Sequence, residues 1–510
     1  MANTAFKTYA NEHGGRALLL FLLFGLAIYL FINSGFPLFA VVCISPLLII
    51  AVYVLFSYQT TAFWALIFIN YFVQFFAKQR LLPSGIPMSL YNEMLEIMLL
   101  AIAIIDTRKT ANFDRTANFM LVTLLIWCGF CTLEVLNDTC GLGINVGAWY
   151  QGARLMAFQI LYVFLIFSIY IDSPNMLVKY LMFWACLCLF SVFWVWKQQY
   201  IGFTATENAW LQGRARVTHV LQGGTLIRYF STYNDAANYG IGIASTAVAF
   251  LIFGITAKVK KYKKFFLIVG IACTWAMFPS GTRTAMACLM AGVLVYVFLS
   301  KSVKIASVVS ILGGIAFFIL AFTTIGQGNQ QIRRMRSMFD KSDASSNVRT
   351  INQQTMKKYM KEAPWGIGLG MGMGQVPANN KYAIMSVIPA DSEYVFIWLR
   401  TGKIGITIFL ILTALMFAGA CLIVLFRIKS HSLRGIGAGL CSAFASIQLG
   451  AYGNEVLMQF PNCLVFYGGL TIVYILPHIE KEWIEYENEQ LAIEAEKKRL
   501  KLEKKLASRV

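Results

Sequence analysis

The chain has 510 residues, of which 58% are apolar and 13% are charged, and its formal net charge is +19. Soluble domains carry about 25% charged residues, so this composition excludes an ordinary soluble protein. It predicts an all-α polytopic membrane protein, because lipid offers no partners to open backbone groups. The eleven cysteines lie mostly within apolar runs, which argues against a secreted disulfide framework.

Fourteen apolar segments are each close to the roughly 20 residues that a helix needs to cross a bilayer. They lie at 17–35, 37–56, 60–76, 91–105, 117–136, 149–171, 178–196, 236–255, 265–279, 284–300, 305–322, 393–425, 435–451 and 461–477. We interpret the first segment as an uncleaved span, because a second follows it directly. The predicted organisation is eleven spans in 1–322, one large helical loop in 323–392, three spans in 393–478, and a charged helix in 479–510.

Lysine and arginine set the predicted orientation. The most basic short loop is Lys258–Lys264, and the other basic loops fall on the same side of the fourteen spans, together with both termini. Because positively charged loops stay in the cytoplasm, we expect both termini to be cytoplasmic. The long segments 197–235 and 323–392 should then face outward.

The outward segments contain four cations in 197–235 and nine in 323–392. Long loops are exempt from the orientation rule, so this excess needs another cause. Two causes are open at this point: contact with anionic lipid headgroups, and binding of a phosphate-bearing substrate.

Four of the charged residues inside predicted spans fall near the outer ends of helices in the first half of the chain. They are Glu93, Glu96, Glu134 and Arg154. Charged groups inside a membrane are costly and usually face a cavity or one another. The pattern therefore indicates an outward-facing polar cavity, local ion pairs between helices, or both.

Two arginines stand where a phosphate could bind. Arg283 ends a tight outward turn, Pro279-Ser-Gly-Thr-Arg, and its planar donor fork suits phosphate; the alternative is an interfacial arginine that reaches toward water. Arg349 follows Ser345-Ser-Asn-Val, which predicts a helix capped by Ser or Asn. Arg349 would then lie in the first helical turn, where free backbone amides also favour an anion.

Glycines alternate along residues 365–374, a pattern that is incompatible with a good helix. It predicts either a flexible turn back toward the membrane or a backbone nest for a pyrophosphate. Asp391 and Glu393 follow, at the mouth of the next span. A carboxylate at that position could act as general base on a hydroxyl.

These pieces, in this order, resemble the bacterial O-antigen polymerase and O-antigen ligase superfamily. The resemblance rests on R-Y-F-S-T-Y-N-D at 228–235, S-G-T-R-T at 280–284, the Arg349 helix, P-W-G-I-G-L-G at 364–370, and D-S-E-Y followed by T-G-K-I-G-I within 391–406. It covers roughly residues 225–410. Each motif is short, and their order together with the predicted topology makes the match specific for the superfamily, without separating polymerase from ligase.

The resemblance implies a GT-C-like glycosyltransferase in the bacterial inner membrane. Such an enzyme takes a glycan from an undecaprenyl-pyrophosphate carrier and passes it to a hydroxyl of a glycan or lipid A-core acceptor, without metal, nucleotide or other cofactor. In ligases of the family two arginines hold the donor pyrophosphate, and Arg283 and Arg349 match them; Arg228 lies in the matching upstream segment. The family histidine that activates the acceptor is replaced by Asp391, so Asp391 or Glu393 is the expected base.

The remaining outward loop offers Arg214, Arg216 and His219 as acceptor-side or plain loop contacts. Membrane lipid and a chain-length regulator are further candidate partners, and nothing in the sequence indicates nucleic-acid binding. A flippase or exporter of lipid-linked oligosaccharide is the alternative function. Such transporters usually show two similar halves and short loops, which this sequence lacks.

Overall fold

The computed structural model describes residues 57–81, 88–106, 112–213, 215–221, 226–302, 344–372 and 374–508, with isolated positions elsewhere. The chain divides into two compact units, Met1–Phe63 and Trp64–Val510. Of the first unit only isolated positions and the residues from 57 onward are described. The site described below lies wholly in the second unit.

The described elements are almost all helical. In chain order they are α1 (Gln59–Lys78), α2 (Met88–Ile105), α3 (Phe119–Leu133), α4 (Val146–Tyr170), α5 (Pro174–Tyr200), α6 (Ala205–Gln212), α7 (Arg216–His219), α8 (Ala236–Thr256), α9 (Lys260–Ala276), α10 (Arg283–Ser300), α11 (Ala344–Met360), α12 (Ala383–Val387), α13 (Glu393–Leu422), α14 (His431–Gly453) and α15 (Asn462–Ala507). A short hairpin pairs β1 (Val220–Leu221) with β2 (Leu226–Ile227).

Eleven of the fourteen predicted spans coincide with these helices. The predicted spans 17–35, 37–56 and 305–322 lie largely or wholly outside the described residues. Among the described helices, eight are long and apolar enough to cross a membrane. The chain is therefore an all-α protein with several membrane-spanning helices. The charged segment 479–510 continues the last span as one helix to Ala507, passing through Pro477.

Helix α8 lies at the centre of the second unit, with nearly every residue buried, and packs against α9, α10 and α14. It is rich in Gly, Ala and Ser, the small residues that allow membrane helices to approach closely. A Cβ on Gly450 of α14 would collide with Ile241 of α8. The hydroxyls of Ser245 and Ser446 lie 2.9 Å apart across the same interface.

Residues 344–392 form a small packed region beside the start of α13. Its core contains Met356, Met360, Ile367 and Met385, together with Leu399 of α13. Two amides tie it to the loop after α3: Asn137 donates to the Trp365 carbonyl at 2.8 Å, and Asn380 donates to the Cys140 carbonyl at 2.7 Å. The predicted large loop is thus an ordered part of the fold over these residues.

Several helix ends meet at what we call the site end, where α8, α10 and α13 begin and α14 stops. Direct hydrogen bonds join these ends. Thr282 donates to the Ala236 carbonyl at 2.9 Å, Ser392 donates to the Ala451 carbonyl at 3.1 Å, and the Asn238 side chain donates to the Glu455 carbonyl at 3.3 Å. Segments far apart in sequence are therefore held in one place.

Candidate functional site

Arg228 is built into the site end by its own hydrogen bonds. Its guanidinium donates to the carbonyl of Ser280 at 3.2 Å, to the carbonyl of Thr218 at 3.1 Å, and to the hydroxyl of Thr282 at 3.0 Å. These bonds use three of the five N–H groups of an arginine. Arg228 thereby fixes the turn that immediately precedes Arg283.

Arg283 is the first residue of α10, and Arg349 lies in α11; both are half-buried. Burial lowers the pKa of Arg228; the negative charge of Asp235 opposes this, and the positive charges of Arg283 and Arg349 lower the pKa further. The guanidinium groups of Arg283 and Arg349 are therefore each within electrostatic range of Arg228. Two of them come from separate helices and one comes from a loop, and all three were candidates from the sequence.

The start of the Arg349 helix differs from the prediction. The helix begins at Ala344, so Arg349 is its sixth residue and lies in the second turn. Its backbone amide is then inside the helical ladder, because only the first four N–H groups of a helix are unpaired. The expected anion site on first-turn amides is wrong for Arg349, and its contribution is the charge of its side chain.

The glycine run serves close backbone packing. Gly402 breaks α13 with a φ of +66°, and the carbonyls of Leu399 and Arg400 accept hydrogen bonds from Ile367 at 2.9 Å and Gly368 at 3.1 Å. A Cβ on Gly366 would collide with the backbone of Arg400 and Gly402. Because these amides of the run are already paired with α13, they cannot form the pyrophosphate nest that was one of the two sequence alternatives.

The two predicted bases differ in their surroundings. Asp391 is half-buried with a left-handed φ of +54°, and no described residue makes a hydrogen bond to its carboxylate. Glu393 is buried, and its carboxylate accepts a hydrogen bond from the Leu457 amide at 3.0 Å. Glu393 therefore ties the start of α13 to the loop after α14, which is a positional role.

Two charged groups at the site end were missed by the sequence reasoning. Glu455 follows α14, and Arg400 lies in α13 beside it. The pKa of Glu455 is raised to about 7, mainly by burial; the charges of Asp391 and Asp235 act in the same direction, and Arg400 opposes them. Glu455 is thus close to two carboxylates and one arginine. Arg400 stands in the quoted motif region, but Glu455 belongs to no motif that would have signalled it.

The charged residues inside the spans form an ion pair next to a cavity. Arg154 contacts Glu93 at 2.9 Å and donates to Ser89 at 2.8 Å, while Tyr150 donates to Glu93 at 2.7 Å. A cavity of about 380 Å³ has Ser89 in its wall. Local pairing, one of the two alternatives for the intramembrane charges, is therefore confirmed for Glu93 and Arg154, and a cavity lies beside the pair.

Glu96 and Glu134 make separate contacts. Glu96 accepts from Asn92 and from Gln159, both at 2.7 Å. Glu134 accepts from Asn137 at 2.7 Å and lines a different cavity, of about 430 Å³, with Trp365. These contacts stabilise the junctions between helices around the site.

Two of the acceptor-side candidates of the loop, His219 and Arg216, have different surroundings. His219 is buried, and its Nε2 accepts a hydrogen bond from the Ala236 amide at 3.1 Å. Burial, and next the charge of Arg228, lower the pKa of His219 to about 4, so the ring is neutral and helps to cap α8. Arg216 is exposed, and Arg214 lies outside the described residues. Within the described ranges, no three His, Cys, Asp or Glu side chains are close enough together to hold a metal ion.

The comparison with protein families adds to this geometry. The family model described as O-antigen ligase matches residues 267–410. That part of the chain, which we call the matched segment, is similar to the O-antigen ligase family. The match covers somewhat more than a quarter of the 510 residues, and it contains Arg283, Arg349 and Asp391. It confirms the resemblance to the O-antigen polymerase and ligase superfamily. No curated protein matches the chain.

The matched segment accounts for only part of the site end, because Arg228, Asp235 and Glu455 lie outside residues 267–410. Arg228 bonds to Thr282 of the matched segment, and Asn238 joins Asp235 to the Glu455 carbonyl. The family supports a membrane enzyme that ligates or polymerises glycans.

Proposed function

We propose that the protein transfers a glycan from undecaprenyl pyrophosphate to a sugar hydroxyl, at the periplasmic face of the bacterial inner membrane. The observation that carries the donor part is that the charges of Arg283 and Arg349 both act on Arg228 at the site end. The similarity of the matched segment to O-antigen ligases supports the reaction class. The acceptor is a glycan, either a second carrier-linked chain or a lipid A-core, and both remain open.

The proposed reaction needs positive charge at the leaving group. The hydroxyl oxygen attacks the anomeric carbon, the bond from that carbon to the diphosphate oxygen breaks, and the diphosphate leaves with the electron pair. Fixed cationic donors stabilise the charge that develops there. Arg283 and Arg349 contact the diphosphate, and Arg228 holds the turn before Arg283 and adds its charge. We propose that these arginines supply the charge without a metal ion or cofactor.

The start of α10 adds to this cationic environment. Thr282 precedes the helix, but its hydroxyl donates to the Ala236 carbonyl and makes no side-chain cap. The first amides of α10 therefore keep their partial positive charge, which favours an anion beside Arg283. The helix dipole and the guanidinium charge together support the proposed diphosphate position.

The test is transfer by the purified full-length protein in detergent, with undecaprenyl-pyrophosphate glycan extracted from a strain lacking the gene, and with a glycan acceptor. Arg283→Ala and Arg349→Ala should each lower the rate about 100-fold or more, the cost of removing one charge-stabilising donor. The Lys variants should restore only part of the rate, because Lys lacks the planar fork. Chelator should leave the wild-type rate unchanged.

Arg434→Ala is the matched control. Arg434 is also half-buried, but it lies near the start of α14, about 30 Å along that helix from the site end. It should keep wild-type transfer. Wild-type rates in both Arg283→Ala and Arg349→Ala would refute the donor role. Movement of the lipid-linked glycan across a vesicle membrane, with no new glycosidic bond, would instead establish a transporter.

A further inference from the structure

The cavity beside the Glu93–Arg154 pair has the chemistry of a sugar site. Its volume of about 380 Å³ is within the roughly 300–1,000 Å³ of small-molecule sites. Its wall combines the amides of Gln74, Gln151 and Gln459 with the ring of Phe396. None of the three amide side chains has a hydrogen-bond partner among the described residues. They are therefore available to bind hydroxyl groups, while the ring provides an apolar surface.

Glu455 stands in the same wall and is the one unengaged carboxylate there. The other carboxylate of the cavity, Glu393, already accepts the Leu457 amide. No described residue donates a hydrogen bond to the Glu455 carboxylate. Nearby Asp235 is also engaged, because it caps α8 through the amides of Ala237 at 2.7 Å and Asn238 at 2.9 Å. Glu455 thus has free acceptor atoms facing a cavity lined by amides.

Glu455 is also linked to Arg228 through Asp235. Asp235 interacts electrostatically with both Arg228 and Glu455, and the Asn238 side chain donates to the Asp235 carboxylate at 2.7 Å and to the Glu455 carbonyl at 3.3 Å. Side chains at the start of α8 therefore link Arg228 to Glu455 in the wall of the cavity. A diphosphate on the arginine side and a sugar in the cavity would meet at Glu455.

We propose that this cavity binds the acceptor sugar and that Glu455 takes the proton of the attacking hydroxyl. The proposal rests on the proposed glycosyl transfer. The acceptor oxygen forms the new bond to the anomeric carbon, its proton passes to the Glu455 carboxylate, and the diphosphate leaves with the electrons of the broken bond. The carboxylic acid then returns the proton to water.

The surroundings of Glu455 suit a base that works near neutral pH. Burial raises its pKa to about 7, with Asp391 and Asp235 acting in the same direction and Arg400 opposing them. Glu393 is the other titratable group that faces the cavity. A base is most effective when its pKa is close to the working pH. Asp391 then acts through Glu455, because its charge helps to keep the proton affinity of Glu455 high.

The decisive experiment measures transfer against acceptor concentration at saturating donor. Glu455→Gln should lower kcat by about 100-fold or more, the usual share of a general base. A second titration, of donor at saturating acceptor, should give an unchanged KM for the donor. The wild-type rate should fall as the pH drops below about 7, and the residual rate of Glu455→Gln should lose that step. Glu455→Asp should restore part of kcat and confirm that the loss is chemical.

A second variant tests the cavity itself. Gln74→Leu keeps the size and helical preference of the side chain but removes the amide, so the KM for the acceptor should rise about tenfold while kcat is retained. Equilibrium binding of the acceptor without donor should weaken by the same factor. Glu134→Gln is the control, since Glu134 lines the separate cavity and a Gln oxygen can still accept from Asn137.

The outcomes separate this inference from the proposed function. If Arg283→Ala abolishes transfer but Glu455→Gln keeps the wild-type kcat and pH profile, the role of Glu455 is overturned and the transferase stands. Unchanged acceptor binding in Gln74→Leu overturns the cavity as the acceptor site. If the wild type forms no glycosidic bond, the proposed function fails, and the inference fails with it.

Discussion

Replacing Gly402 by Ala tests whether the glycine run is a packing device. Gly402 has a φ of +66° and a ψ of −168°, and its added Cβ would collide with the Pro364 carbonyl and the Gly366 amide nitrogen. Gly374 is a matched control from the same region. Its φ is +83°, but no described atom lies within 4 Å of an added Cβ.

The two substitutions differ by one physical effect. A left-handed φ costs an L-residue about 1–2 kcal/mol, which both variants incur. Forcing a methyl group into a filled space adds about 1–3 kcal/mol, and only Gly402→Ala incurs this. We therefore expect the free energy of unfolding to fall by about 2–5 kcal/mol in Gly402→Ala and by about 1–2 kcal/mol in Gly374→Ala, from the sum of these terms.

The free energy of unfolding of both variants would be measured with denaturant in the same detergent, and their transfer rates would be compared. Gly402→Ala should also slow transfer, because the clash would move the Leu399 and Arg400 carbonyls away from the amides of Ile367 and Gly368. Equal losses of stability in the two variants would show that Gly402 matters only for its φ. The packing account of the glycine run would then be wrong.

Two further predictions concern the buried polar residues Glu93 and His219. Glu93→Gln should destabilise the protein by about 3–5 kcal/mol, because it leaves Arg154 charged and unpaired; adding Arg154→Met should recover most of that loss in the same unfolding assay. His219 has its pKa lowered from 6.5 to about 4, so it binds a proton more weakly in the folded state. Stability should be highest above pH 6.5 and fall as the pH drops from 6.5 to 4. That component should be absent from the unfolding curves of His219→Gln, and an unchanged pH dependence in this variant would contradict the assignment.

The positions of the helices could be predicted well, because apolar length is a strong signal in a membrane protein. Eleven predicted spans have helices in the described structure, although the bounds shift by several residues. The start of the Arg349 helix was misplaced for a specific reason. Asp343-Ala-Ser-Ser-Asn offers several residues that can cap a helix, and capping chemistry alone cannot select among them.

The glycine run and Glu455 show what one sequence cannot supply. Alternating glycines are equally compatible with a pyrophosphate nest and with a close backbone contact. The residues that the run contacts, such as Arg400 and Gly402, come more than 25 residues later in the sequence. Glu455 stands in the short loop between α14 and α15, without any motif around it. Glu455 becomes a candidate site residue only because the fold places it near Asp391 and Arg400 and in the wall of the cavity.

The arrangement of charge at the site end has a physical logic that connects the two halves of the proposed reaction. Arginines stabilise an anion, and the same field would make a nearby carboxylate a weaker base. Asp235 and Asp391 counter this effect at Glu455, where their negative charges offset the single arginine, Arg400. A leaving group that needs positive charge and a base that needs high proton affinity can then work side by side. Removing the Asp391 charge with Asp391→Asn should therefore lower the pH at which transfer rises without abolishing it, whereas a direct catalytic role for Asp391 would eliminate transfer at every pH.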